Sequence, residues 1–168
     1  MNIVVMGPVG SGKSTQAELL SKEFGTLLFS VGDLLYFTSK EDSPIGKKIR
    51  SVMETGGLVD DNLTLKLVEE HLSRKENEDG IIIDGFPRTL GQAQNFSFPI
   101  DCVIYLKVSD GENKKRLLKR KRNDDTPEII DRRLALYHKE TEPMLEYYRQ
   151  KGILVEVDGE RPVEVIFE

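Results

Sequence analysis

The sequence predicts a three-layer α/β sandwich in which a five-stranded, mostly parallel sheet carries helices on both faces. Three observations predict it. A short β-branched opening run leads straight into a glycine-rich turn. Apolar runs then alternate with amphipathic segments. Finally, Ile81 to Ile83 form a continuous apolar run closed by Asp84. A strand apolar at every position suits a parallel sheet covered on both faces, and strand–helix alternation implies βαβ crossovers. At 168 residues the chain has room for about one domain. No repeat, low-complexity tract or linker divides it, so a single domain over residues 1–168 is expected.

The elements follow in order. Asn2 to Met6 reads as a strand, GPVGSGKST at 7–15 as a loop, and Gln16 to Phe24 as a helix with Ala17, Leu20 and Phe24 at helical spacing. A second strand covers Leu27 to Phe29, and a short helix runs from Val31-Gly32-Asp33 to about Ser39. Ser43-Pro44 is an N-cap followed by proline in the first turn, and Gly56-Gly57 stops that helix. The next helix is expected over Asp61 to Lys75, with Leu65, Val68 and Leu72 on one face, before the strand ending at Asp84. Another strand spans Cys102 to Val108, after which Ser109-x-x-Glu112 reads as a capping box opening a basic helix. Pro127 to Lys151 is helical with an interruption at Pro143, and a last strand covers Ile153 to Val157.

Composition excludes several functions. The longest apolar runs fall far short of the roughly 20 residues of a membrane span, and the run after Met1-Asn2 has no charged-then-apolar signal pattern. The lone Cys102 excludes an internal disulfide and a cysteine-rich zinc site, and fits a reducing cytoplasm. With 24 Lys+Arg against 29 Asp+Glu and a net charge of −5, the surface as a whole is not a nucleic-acid binder. Any anion site is therefore local. His71 and His138 lack spacing that suggests a metal, and read as surface or packing residues.

Gly7 to Ser14 satisfies G-x-x-x-x-G-K-[ST] between a strand and a helix, the context this phosphate-binding loop (P-loop) requires. Its glycines let backbone N–H groups turn in around phosphate oxygens, Lys13 reaches the outer phosphates, and Ser14 or Thr15 offers a hydroxyl to Mg²⁺. A nucleoside triphosphate site is the consequence. Asp84, at the carboxyl end of its strand, is placed to orient the metal or its waters. Asp84-Gly-Phe-Pro-Arg88 then presents an arginine whose planar fork suits a phosphate. Lys114 to Arg122 holds seven cations in nine residues, which charge alone would make a solvated face.

These motifs together resemble the adenylate kinases, within the nucleoside monophosphate kinases. The resemblance runs through GPVGSGKSTQA at 7–17, FSVGDLL at 29–35, Gly57 to Val59, DGFPRT at 84–89 with Gln92, RLLKR at 116–120, RNDD at 122–125, RRLALYHKETEP at 132–143 and VDGERP at 157–162. It implies transfer of the ATP γ-phosphoryl group to AMP, giving two ADP, in a chain with an acceptor-binding helical insertion at about 30–60 and a minimal lid at about 120–125. By the same resemblance Gly10, Ser11, Gly12, Lys13, Ser14 and Thr15 hold the donor phosphates, Arg120 faces ATP, and the backbone near Arg161 borders its adenine. Val31, Tyr36, Gly57, Leu58, Val59 and Gly85 meet the acceptor, Arg88 its phosphate and Gln92 its adenine edge. Arg122 and Arg133 span the two phosphate groups. Ser14, Thr15, Asp33 and Asp84 serve Mg²⁺, largely through water. A monomer without nucleic-acid or membrane partners is expected.

The chain departs from that family in three places. The family commonly has threonine at the position of Val31 and arginine at that of Tyr36, so a cation of the acceptor site is missing. Only Lys121 separates Arg120 from Arg122, where relatives place a lid. After Asp158 little chain remains for a last helix. Two other functions stay open at this point: a UMP/CMP kinase of the same family, against which Gln92 speaks, and a non-catalytic nucleotide-binding module, against which the full set of cations speaks.

Overall fold

The computed structural model describes residues 1–73, 80–120 and 125–168. Five strands, β1 (Asn2–Met6), β2 (Leu27–Ser30), β3 (Ile81–Asp84), β4 (Cys102–Lys107) and β5 (Leu154–Asp158), form one parallel sheet in the order β2-β3-β1-β4-β5. From β1 the chain passes to the edge strand β2 and returns to β3 between the two, then crosses to the other side of β1 for β4 and β5. The carboxyl end of β1 is thus the switch point, where open α/β sheets bind ligands. Both the three-layer fold and the central position of Ile81 to Ile83 agree with the sequence.

Alternation along β1 fills both faces. Ile3 and Val5 pack with Ile82 and with Ala17 of α1 (Lys13–Phe24) on one side. On the other, Val4 and Met6 join Ile81, Ile83 and Val103 in the larger core. Val68 and Leu72 of α4 (Asp61–Ser73) and Met144, Leu145 and Tyr148 near the chain's end complete it. Between β2 and α4 lie α2 (Val31–Lys40) and α3 (Pro44–Glu54), packed on each other. Ser30 and Ser43 cap them by accepting from the Asp33 and Gly46 amides, and Pro44 opens α3 as expected.

Local differences from the sequence reading have identifiable causes. α1 begins at Lys13, three residues early, because Gly12 takes a left-handed conformation (φ 88°) that turns the loop directly into the helix. The end of the helix expected to reach Lys75 lies outside the described residues. A six-residue helix, α5 (Leu90–Asn95), is too short to show periodicity, although Thr89-x-x-Gln92 is an N-terminal signature that announces it. At α6 (Asp110–Arg120) the capping box is half made. Ser109 Oγ accepts from the Glu112 amide, but the Ser109 amide donates to Glu160 while Glu112 turns to Arg116 and Lys115.

The break near Pro143 is spread over a π turn, Tyr137–Thr141, between α7 (Pro127–Leu136) and α8 (Met144–Gln150). In that turn His138 lies on the surface as expected, and both of its ring nitrogens are paired. Its Nδ1 lies 2.9 Å from Glu142 and its Nε2 3.0 Å from Asp110, contacts that hold its pKa above the usual imidazole value. His71, by contrast, stacks on Phe29 as a packing residue. The C-terminal helix, α9 (Val163–Phe167), is short as expected.

Ile83 is fully buried in β3 with strands on both sides. Ile83→Ala should destabilise the fold by about 2–5 kcal/mol, the range for a large-to-small change in a packed core, as read from urea denaturation midpoints at unchanged slope.

Candidate active site

The loop after β1 forms a cradle because its glycines adopt conformations closed to other residues. Gly10 has φ 86°, and a Cβ there would stand 2.9 Å from the Asn113 carbonyl oxygen and from Leu117, so α6 seals the loop from behind. Ser11 is buried with its hydroxyl unpartnered. Lys13 opens α1 and folds back over the loop, its Nζ 3.5 Å from the Pro8 carbonyl. The N-terminus of α1 therefore points its amides and its partial positive charge at the same space as the lysine.

Lys13, Arg88 and Arg133 line one cleft of about 180 Å³ together with Gly7, Val9, Met53, Gly57, Leu58, Gly85 and Thr141. Burial pushes the Lys13 ammonium down from its usual pKa; Asp84 opposes this, while Arg88 and Arg120 add to it. The Arg88 guanidinium is depressed in the same way, first by burial, against Asp84 and with Arg133. Arg88 is held at three points. Its Nε donates to the Gly85 carbonyl at 2.8 Å, its amide donates to Gln92 Oε1 at 2.7 Å, and its carbonyl accepts from Thr141 Oγ1 at 2.6 Å.

Asp84 Oδ2 accepts from Ser14 Oγ at 2.6 Å, and its Oδ1 is buried without a hydrogen-bond partner. A hydroxyl and a carboxylate with an unsatisfied oxygen form a hard, all-oxygen donor pair of the kind Mg²⁺ takes. Asp33 lies exposed in the first turn of α2, past the β2 residue that pairs with Asp84, and Thr15 is exposed on α1.

Asp125, with a fully buried side chain, accepts from Arg120 in bidentate fashion at 2.8 and 2.9 Å, and Arg133 Nη1 lies 3.7 Å away. Its role was not legible as a lone acid beside Asp124 in RNDD. The signal was its place between two arginine-bearing segments. Arg122 lies outside the described residues, as do Lys121, Asn123 and Asp124 of the expected lid.

Two further hollows flank the cleft. Gly10, Ser11, Gly12 and Arg161 line one with Gln16, Arg116, Pro162, Val163 and Ile166. Arg116, absent from the residues singled out in the sequence, donates from Nη1 to the Ser11 carbonyl and from Nε to Glu112. The other is a narrow slot lined by Val31, Leu35, Met53, Gly57, Leu58, Val59, Gly85, Arg88 and Gln92. Gln92 is buried at its edge, its amide already bonded to Arg88 and Asp61. Tyr36 borders none of these spaces. It is about half exposed, with the Lys40 ammonium 4.9 Å over its ring.

A buried cleft with several convergent cations, an apolar slot on one side and a hollow at a phosphate-type loop on the other can hold two anionic groups face to face. Comparison with known proteins agrees. The family model for adenylate kinase matches residues 5–153. Similar proteins include adenylate kinases of Prochlorococcus marinus strain MIT 9211, 41% identical over 96% of this chain and 90% of that protein, and of Caulobacter sp. strain K31, 39% identical over 99% and 94%. Another, from Trichodesmium erythraeum, is 38% identical over 99% and 93%.

The depressed Lys13 pKa makes a stability prediction. A lysine whose folded pKa lies below its unfolded value opposes folding while it is charged, and the penalty disappears as pH rises through the unfolded value near 10.4. Lys13→Met should therefore raise the melting temperature of the ligand-free protein at pH 7, with the gain shrinking toward pH 10.5. Inorganic tripolyphosphate should stabilise the unsubstituted protein and lose most of that effect in the variant, as read by thermal denaturation.

Proposed function

The chain belongs to the adenylate kinase family and is a phosphotransferase acting on ATP and AMP to give two ADP; we propose that the transfer takes place in the cleft lined by Lys13, Arg88 and Arg133. The observation that carries this reading is the convergence of those three cations beneath the glycine loop, with Asp84 opposite. Phosphoryl transfer asks little covalent chemistry of a protein. It needs two anions aligned and the charge on the migrating group stabilised.

In this reading the amides from Gly10 to Thr15 hold the donor's β- and γ-phosphates, and Lys13 follows the migrating group with its ammonium. Arg88, tethered through its backbone and Nε, keeps both terminal nitrogens for the acceptor phosphate. Arg120 and Arg133, clamped by Asp125, stand across from it, and Arg122 joins them by resemblance. The donor's adenine enters the hollow of Arg116, Arg161 and Val163. The acceptor's base enters the slot of Val31, Leu58 and Val59, with Gln92 at its edge.

Ser14 and Asp84 fit Mg²⁺, with Thr15 and Asp33 in its surrounding water, and the ion would neutralise charge on the donor phosphates. The anion-seeking character of the cleft follows from its own electrostatics. Burial depresses the pKa of Lys13 and Arg88 further than Asp84 restores it, so both cations gain when a phosphate arrives. Among the described residues no helix is long and apolar enough to cross a membrane. A cytoplasmic location, which the single cysteine supports, and a monomeric state remain our reading. A pyrimidine acceptor and a non-catalytic role are not favoured, given Gln92 and the retained cations.

Measuring ADP formation over AMP, CMP, UMP, GMP and dTMP tests the assignment, with AMP expected to be preferred. Lys13→Met should lower kcat by about 10²–10³-fold, the scale of losing one donor to developing charge. Arg88→Ala should raise the AMP KM about tenfold to a hundredfold, the loss of a charged hydrogen bond of about 1.5–3 kcal/mol. An unchanged AMP KM would put the acceptor elsewhere.

The expected shortage of charge at the acceptor also has support. Of the cations on α3 that could replace the arginine Tyr36 displaces, Arg50 spends its guanidinium on the Ser39 carbonyl at 2.6 and 2.9 Å, Lys47 pairs with Asp42 at 2.8 Å, and Lys48 is exposed and lines neither the cleft nor the slot. Tyr36→Arg should lower the AMP KM by up to about tenfold and leave the ATP KM unchanged. Steady-state kinetics with each substrate varied checks this; a raised AMP KM would mean the site already has its full charge.

A further inference from the structure

Asp61, at the start of α4, takes no part in the cleft, yet its carboxylate ends a chain of hydrogen bonds that leads into it. Oδ1 accepts from Gln92 Nε2 at 3.0 Å and Oδ2 from Thr89 Oγ1 at 2.6 Å. Gln92 Oε1 in turn accepts from the Arg88 amide at 2.7 Å, and Thr89 Oγ1 accepts from the Gln92 amide at 3.1 Å. The arrangement is closely fitted, since a Cβ on Gly91 would stand 2.9 Å from Asp61 Oδ2.

The chemistry of the two ends leaves the Gln92 amide one orientation. A carboxylate only accepts and a backbone N–H only donates, so the NH₂ must face Asp61 and the oxygen must face Arg88. One N–H and one oxygen lone pair remain unused. A donor and an acceptor side by side on a buried amide match the edge of a 6-aminopurine, which offers an amino donor beside a ring-nitrogen acceptor. A 6-oxopurine offers the opposite pattern, and would leave two buried polar groups facing like partners.

We propose that Asp61 is a specificity-determining positioning residue: by fixing the orientation of the Gln92 amide at the edge of the acceptor slot, it makes the site choose a 6-amino over a 6-oxopurine monophosphate. This rests on the reading that Gln92 meets the acceptor base. Asp61 itself touches neither nucleotide and acts through Gln92 alone. Without it the Arg88 amide still attracts Oε1, but the NH₂ end is unrestrained and the amide swings about its last torsion. Discrimination then falls without reversing, and donor binding is unaffected.

The test compares AMP with inosine monophosphate as acceptor, with kcat and KM measured for each and for ATP. Asp61→Ala should raise the AMP KM about five- to thirtyfold and cut the AMP-over-IMP preference in kcat/KM at least tenfold. The ATP KM and the kcat at saturating AMP should stay within about twofold. Asp61→Asn, whose oxygen can still accept from Gln92, should recover most of the preference. Thr89→Val removes the cap of α5 and the other bond to Asp61. It should lower the melting temperature yet keep the preference, separating packing from orientation.

An Asp61→Ala enzyme with an unchanged preference would overturn the proposal, as would one whose kcat and both KM values worsened together with the preference intact. Gln92→Leu distinguishes the two levels. If it raises the AMP KM while Asp61→Ala does not, only the orienting role fails. If it too leaves the AMP KM unchanged, the contact between Gln92 and the base fails, and the proposal with it.

Discussion

Desolvation, with repulsion added to it, of Lys13, Arg88 and Arg133, gathered half-buried in one cleft with Asp84 as the acid that faces the first two, is the constraint around which the structure is arranged. Left to themselves, long cationic side chains would swing out to water and disperse. Each is instead tied by a group that does not cancel its function. The Gly85 carbonyl takes only Nε of Arg88, and Asp125 clamps Arg120 and lies 3.7 Å from Arg133. Neutral oxygens and one fully buried carboxylate thus orient the cations while leaving net positive charge in the cleft. Such preorganised charge lowers a barrier more than flexible charge would, because little reorganisation is needed as the transition state forms.

The sheet supplies the frame that resists this repulsion. β1 is central and its loop emerges between the two halves of the fold, so α1, the turn after β3 and α7 reach the cleft from separate directions. Cations carried on independent, well-packed elements cannot relax by one local movement. The balance is visible in Gly10, where the loop is closed against α6 with no room for a side chain, and in Ser11, a buried hydroxyl without a partner. Stability is given up locally at the site and recovered in the apolar faces of β1, β3 and β4.

Acceptor recognition is built differently from donor recognition. In the proposed reading donor contacts come from one continuous segment, residues 7–15, in which the backbone does most of the binding. In the same reading acceptor contacts come from α2, α3, the turn after β3 and α5, and they depend on side chains that must hold each other in place. Gln92 shows the difference, because an amide presents the same shape in either orientation and only its neighbours decide which face it shows. Tyr36, exposed and turned to Lys40, lies outside the cleft and the slot while the donor loop keeps its full motif.

The sequence by itself determined the layered α/β fold, the buried parallel strand ending at Asp84, the phosphate-type loop and the arginines that face it, because these rest on local rules. Periodicity, glycine and proline placement, and a motif between a strand and a helix are all readable within a dozen residues. Tertiary structure alone decided that Asp125 joins Arg120 and Arg133, that Asp61 reaches Gln92 across 31 residues of chain, and that Arg116 meets the loop 105 residues earlier. It also decided that His138 bridges Asp110 and Glu142 rather than lying idle. The physical reason is common to all of them: a hydrogen bond depends on distance and direction in space, and residues far apart in the chain acquire both only after the sheet has set the elements that carry them.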